Sequence, residues 1–140
     1  MVVGYKERQY SPPITCEVYR NLRTGSLSVR SKEGEHKGLV IDHLPTVNLT
    51  DCDFHVDESG RQKVLENERK NVHATVSGTL QQTDLSLDDP TEITYNPYKF
   101  DSFVTQEAHQ PIAEAEAVVI EVNDESVNFL AESVTPKSSK

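Results

Sequence analysis

The sequence predicts an α+β domain, mainly antiparallel β-sheet or a small barrel, with one surface helix near residues 58–70. Three observations carry that prediction. Apolar and polar residues alternate with a period of two in several separate stretches, as half-buried strands require. One stretch in the middle of the chain is rich in helix formers and has capping residues at its start. No strand–helix–strand alternation recurs, so a parallel sheet has no support.

Residues 1–13 read as an irregular arm that ends at Ser11-Pro12-Pro13, a run that resists regular structure. From Ile14 the alternation begins. Ile14, Cys16 and Val18 share one face of a strand, and Glu17, Tyr19 and Asn21 the other. Arg23-Thr24-Gly25-Ser26 supplies turn chemistry, after which Leu27 and Val29 alternate with Ser28 and Arg30 and complete a hairpin. The polar run Ser31–Gly38 turns the chain again, into a short apolar strand at Leu39-Val40-Ile41. After Pro45, Val47 to Val56 form the longest alternating run. Its pattern puts Asn48, Thr50, Cys52, Phe54 and Val56 on one face and Val47, Leu49, Asp51, Asp53 and His55 on the other.

Asp57 or Ser59 can cap the helix, and Glu66 to Lys70 is a favourable pair four residues apart. Val64 and Leu65 are its apolar residues, so it docks by a narrow stripe. Asn71 to Leu80 alternate again, Val72, Ala74 and Val76 against His73, Thr75, Ser77 and Thr79. Gln81 to Thr91 is an acidic loop. Glu92 to Phe103 is interrupted by Asn96-Pro97, which marks an edge strand with a bend. Ala117–Val122 and Ser126–Ala131 flank Asn123-Asp124 as a last hairpin, and 133–140 is expected as a disordered tail. Residues 14–132 are thus expected to form a single domain whose acidic part starts at 81.

Charge is the most informative bulk property. Residues 1–80 hold eleven Lys/Arg and eleven Asp/Glu, whereas residues 81–140 hold three against twelve, so the net charge of −9 lies in the last sixty residues. Such a surface repels nucleic acid and anionic membranes and attracts basic partners over about a Debye length. Solubility is the plain alternative. Hydrophobic residues make up 35% of the chain, below the usual range, so the core is expected to be modest. No stretch approaches the roughly 18 apolar residues of a membrane helix. The N-terminus lacks an apolar signal core, so Cys16 and Cys52 are expected as reduced thiols.

Four constellations of residues bear on chemistry. Cys52-x-x-His55, with Cys16, Asp51 and Asp53, has metal-like spacing, but residues three apart in a strand point to opposite faces. No metal and no cofactor is assigned. His73 beside Thr75 and Ser77 has the makings of a general base, yet hydroxyls are ordinary on a solvent face. No catalytic residue is assigned, and the reading leans away from an enzyme. Gly60, Arg61, Lys63, Arg69, Lys70 and His73 form a possible anion site for a nucleotide or phosphate at the helix start. The bland reading is a solvated helix whose cations pair with Glu66 and Glu68. Tyr95 and Tyr98 around the bend offer rigid aromatic contact area, or else fill the core of a bent edge strand.

Several strings add a resemblance. Val18-Tyr19-Arg20-Asn21-Leu22, Ser28-Val29-Arg30, Gly60-Arg61-Gln62-Lys63-Val64-Leu65, Arg69-Lys70-Asn71-Val72-His73-Ala74 and Tyr95-Asn96-Pro97-Tyr98 resemble small uncharacterised proteins of tailed bacteriophages, over roughly residues 16–105. The resemblance attaches no activity. It implies an accessory protein working in the cytoplasm of a bacterial host. The leading expectation is non-covalent binding to a host or phage macromolecule with a basic surface, in host takeover or counter-defence. The acids expected to carry it are Asp84, Asp88, Asp89, Glu114, Glu116, Glu121, Asp124 and Glu125. The alternatives are a binder of a phosphorylated small molecule or nucleotide signal at the helix start, and a minor virion component.

Overall fold

The structure, a computed structural model, describes residues 1–21, 25–67, 72–123 and 126–137. The long sheet is built from β3 (Ile14–Arg20), β4 (Leu27–Ser31), β5 (Val40–Leu44), β6 (Thr46–Val56), β7 (Ala74–Leu80), β8 (Thr91–Thr94), β9 (Val104–Thr105), β10 (Ile112–Asn123) and β11 (Ser126–Pro136). Helix α1 (Glu58–Asn67) connects β6 to β7. The nine strands run in the order β5-β4-β3-β7-β6-β10-β11-β8-β9, with every pairing antiparallel. The sheet ends at β5 and at β9, so it is open and the barrel alternative is corrected. Its two end strands do not meet: β9 is only two residues long, and β5 is flanked by the N-terminal arm.

That arm is more ordered than its sequence suggests. Here β1 (Val2–Val3) pairs with β2 (Gln9–Tyr10) across a 3-10 turn at Tyr5–Glu7. The Tyr10 ring belongs to the core, and its hydroxyl donates to Asp42 at 2.6 Å. The other end differs as well. β11 runs on to Pro136 because β10 supplies partners as far as Ile112, four residues into the expected tail. The expected edge strand at 92–103 is also redistributed. β8 stops at Thr94, the chain turns around Asn96, and β9 takes the edge.

The core is one cluster with members from β5 through β8 in sheet order, including Leu27, Val29, Ile41, Leu49, Val76, Val118, Ile120 and Ile93. The cluster thus runs across the sheet from the end strand β5 to β8, the strand next to the other end. Two-period alternation explains β3 and β7 directly, and in β4 it places Leu27 and Val29 inward, although Ser28 on the other face is buried as well. It fails in β6, and the failure is instructive. Val47 and Leu49 are buried, but so are Cys52 and, in part, Phe54 and Val56. Asp51 sits between the two sets at φ +53°, and the register against β7 shifts between Thr50 and Asp53. One extra residue at this bulge exchanges the two faces. The strict two-face assignment for 47–56 is therefore corrected: Val47, Leu49, Cys52, Phe54 and Val56 all serve the core.

The same break crosses three strands. In β10 both Ala115 and Val118 are buried, which strict alternation forbids. In β11 Ser133 adopts φ +56°. Register places Asp51 between the pairs Cys52–Ala115 and Thr50–Ala117, and Ser133 between Ala117–Glu132 and Ala115–Val134. Asp51, Glu116 and Ser133 therefore form one transverse line along which β6, β10 and β11 all change phase.

Gly78 on β7 is fitted against this line. It lies opposite Cys16, and a Cβ there would stand 2.9 Å from the Thr50 carbonyl oxygen and 3.3 Å from Cys52 Sγ. Gly78→Ala is expected to lower stability by about 1–3 kcal/mol, as an added methyl does in a packed interior. Chemical denaturation checks this; an unchanged midpoint would mean that β6 relaxes away from the methyl.

Candidate functional site

The phase break brings acids together. Asp51-Cys52-Asp53 on β6 and Glu114-Ala115-Glu116 on β10 are both acid–apolar–acid triplets, and they lie antiparallel with Cys52 opposite Ala115. Cys52 and Ala115 point inward and are buried, so the four carboxylates project together from the outer face. Asp53 stands directly opposite Glu114. Ser133, Val134 and Thr135 of β11 complete the lining of an open groove of about 570 Å³. Directly opposed like charges destabilise a sheet. Among the described residues, the salt bridges join Arg30 to Glu17 and Arg61 to Glu58, and neither reaches these four carboxylates.

The row extends along the sheet. Register runs Arg30, Glu17, Ser77, Asp53, Glu114, Thr135 across β4, β3, β7, β6, β10 and β11. At one end Arg30 neutralises Glu17 at 3.4 Å. At the other, Asp53 and Glu114 face each other.

The remaining sequence-predicted acids lie elsewhere. Asp84 accepts a hydrogen bond from Asn48 Nδ2 at 3.3 Å, while Asn48 Oδ1 takes the Leu85 N–H, so this part of the acidic loop is pinned to β6. Asp88 and Asp89 are exposed in the same loop. Glu121 is exposed opposite Thr46, five residues and roughly 17 Å along β10 from Glu116. Asp124 and Glu125 lie outside the described residues. Asp51 and Asp53 are absent from the expected acids because the charge asymmetry is read over residues 1–80 against residues 81–140, and both fall in the balanced part. The legible signal was the matching acid–apolar–acid triplets.

The helix start is internally engaged. Arg61 Nε donates to the Pro97 carbonyl at 3.0 Å and Nη1 to Glu58 at 3.1 Å, which fastens α1 to the bend. His73 is buried with Nε2 2.7 Å from Tyr95 Oη, and its carbonyl accepts the Asp57 N–H. Gly60 is buried and Lys63 exposed, while Arg69 and Lys70 lie outside the described residues. The two tyrosines part company. Tyr95 joins a stack running from His73 through Tyr95 to Phe103 and on to Phe54 and Phe129. Burial pushes its hydroxyl up to about 12, with Glu58 and Asp101 adding to the rise and Arg61 opposing it. Tyr98 is 63% exposed at the tip of the bend, where Asn96 Oδ1 accepts its N–H.

A nucleophile–base geometry also exists that the sequence did not show. Ser28 Oγ lies 3.1 Å from His43 Nδ1 and receives Asn21 Nδ2 at 3.4 Å. Ser28 is completely buried and the Tyr5 ring closes over His43, so no substrate reaches the hydroxyl and the pair pins strands together. Cys52 is buried and His55 exposed, on opposite faces of β6. No helix among the described residues is long and apolar enough to cross a membrane.

Comparison with known proteins places the chain among phage gene products. The family described as Mycobacterium phage L5 gene 82 protein matches residues 9–128. The "Gene 82 protein" of Mycobacterium phage L5 is 36% identical over 114 residues, covering 77% of this chain and 90% of that protein. No solved structure matches. The matched stretch runs beyond the strings at 16–105 in both directions and takes in Glu114, Glu116 and Glu121, so the acidic part lies within the similarity.

The two free thiols have measurable consequences. Burial pushes both Cys16 and Cys52 up to about 12, helped by Glu33 for Cys16 and by Asp51 and Asp53 for Cys52. A thiol raised in the fold favours the protonated native state, so this contribution is full below pH 9 and declines as pH climbs from about 9 toward 12. Thiol-directed alkylation of the native chain at pH 8 is expected to be far slower than in denaturant. Equal rates would show that β3 and β6, which carry Cys16 and Cys52, open readily.

Proposed function

The chain belongs to the family described as Mycobacterium phage L5 gene 82 protein, and from that premise we propose that it is a non-enzymatic accessory protein binding a basic surface through the outer face of β6, β10 and β11. The partner is a host or phage macromolecule carrying clustered Lys or Arg, met in the cytoplasm of the infected bacterium, where binding serves host takeover or counter-defence. One observation carries the reading: two acidic triplets from chain segments some sixty residues apart are opposed across one seam of the sheet. Asp51, Asp53, Glu114 and Glu116 share a groove that no described cation neutralises. A surface needing only solubility gains nothing from directly opposed like charges, which are better dispersed. A basic partner relieves that repulsion on docking, and the attraction steers its approach.

The quadruple variant Asp51→Asn, Asp53→Asn, Glu114→Gln, Glu116→Gln separates recognition from solubility. It is expected to be more stable, by about 0.2–1 kcal/mol for the opposed pair before salt screening. It is also expected to lose a partner that the unaltered chain retains at low salt and releases at high salt. Capture of the same partner by both chains would refute the groove's role.

A further inference from the structure

The strand that walls the groove on one side runs on into a basic segment. Residues 81–140 hold three cations, Lys99, Lys137 and Lys140, and two of them stand within residues 137–140. Register keeps β11 beside β10 as far as the pair Ile112–Pro136, and the Lys137 N–H then donates to the Pro111 carbonyl at 2.9 Å. The Lys137 backbone is thereby held two residues from the groove wall. Thr135, which lines the groove, stands opposite Glu114, and Glu114 stands opposite Asp53. Lys137 is exposed and, by strand alternation, falls on the same side as Thr135. Neither salt bridge among the described residues involves it.

The distances suit a segment that folds back. Neighbouring strands lie about 4.8 Å apart, so Asp53 is roughly 10 Å across the sheet from Thr135. Three residues span at most about 10 Å, and Ser138–Lys140 lie outside the described residues. The four carboxylates fall within the family match at residues 9–128, whereas Lys137 and Lys140 fall beyond it. We infer that Lys137-Ser138-Ser139-Lys140 is a built-in competitor for the groove. It lies back across β10 with its ammonium groups beside Glu114 and Asp53, and it yields to a partner of denser positive charge. This regulation rests on the groove being the recognition surface. Exposed ion pairs are individually weak, but tethering supplies these two at a high local concentration. A partner with a single cation is thus held off, while one with a run of them displaces the segment.

Fluorescence anisotropy with a labelled octalysine peptide at low salt tests this on four chains. They are the full chain, Lys137→Gln with Lys140→Gln, Lys32→Gln with Lys37→Gln, and the quadruple variant of the groove. Lys32 and Lys37 are exposed between β4 and β5, so that pair removes the same charge three strands from β6. The Lys137/Lys140 variant is expected to bind octalysine about 2–10-fold tighter than the full chain. The Lys32/Lys37 variant is expected to gain less than half as much. Carbodiimide coupling of the full chain is expected to yield amide links from Lys137 or Lys140 to Glu114 or Asp53, lost when octalysine is in excess. Equal gains in the two lysine variants, or no such links, would overturn the competitor and leave the groove standing. Undiminished octalysine binding by the quadruple variant would overturn the groove and the competitor with it.

Discussion

The shared loss of phase along Asp51, Glu116 and Ser133 is the constraint on which the rest of this molecule depends. A strand that alternated strictly from Val47 to Val56 would bury either Val47 and Leu49 or Cys52, Phe54 and Val56, never both sets. The extra residue at Asp51 lets β6 bury all five. Neighbours in a sheet follow one another's pleat, so β10 and β11 must change phase at the same level, and they do. Asp is among the few non-glycine residues that tolerate a left-handed backbone, which suits it to the bulge. The carboxylate at the bend is thus partly dictated by the backbone. Its neighbours Asp53, Glu114 and Glu116 are not.

That distinction sharpens against how the fold treats its other polar groups. Among the described residues, every buried side-chain nitrogen or oxygen has a partner. Asn48 holds the acidic loop through Asp84 and Leu85, Ser28 sits between Asn21 and His43, His73 meets Tyr95, and Arg61 holds the bend through Pro97. Each constellation that looked chemical in isolation is joined to another element of the fold. The groove is where repulsion is left standing.

Much of the sheet was legible in the residues. The β3–β4 hairpin follows from Ile14, Cys16 and Val18 against Leu27 and Val29, and β7 from Val76, Gly78 and Leu80. The β10–β11 pairing is legible over Ala117–Val122 and Ser126–Ala131 but not at its two far ends. Ala113 to Glu116 and Glu132 to Pro136 look too polar for a strand until their partners are known. The phase break was hidden for a related reason: a bulge satisfies the core through the register of neighbouring strands, which a single stretch of sequence does not contain. The acids at 114 and 116 were found from charge alone. Joining them to Asp51 and Asp53 needed the long-range pairing of β6 with β10. The barrel was a topological ambiguity, since alternation says which face is inside but not whether the last strand finds the first.

Three ribbons that are local in sequence, β3–β4–β5, β6–α1–β7 and β10–β11, make up most of the sheet, with β8–β9 added beyond β11. They are sewn along two seams, β3 with β7 and β6 with β10, each closing a loop of about sixty residues at an entropic cost the ribbons themselves avoid. The opposed carboxylates of Asp53 and Glu114 lie on the second seam, where electrostatic repulsion and chain entropy both favour parting. A cationic partner lying across them would act as a staple between the two sides of that seam. By mass action its affinity would be returned as resistance of the whole sheet to unfolding.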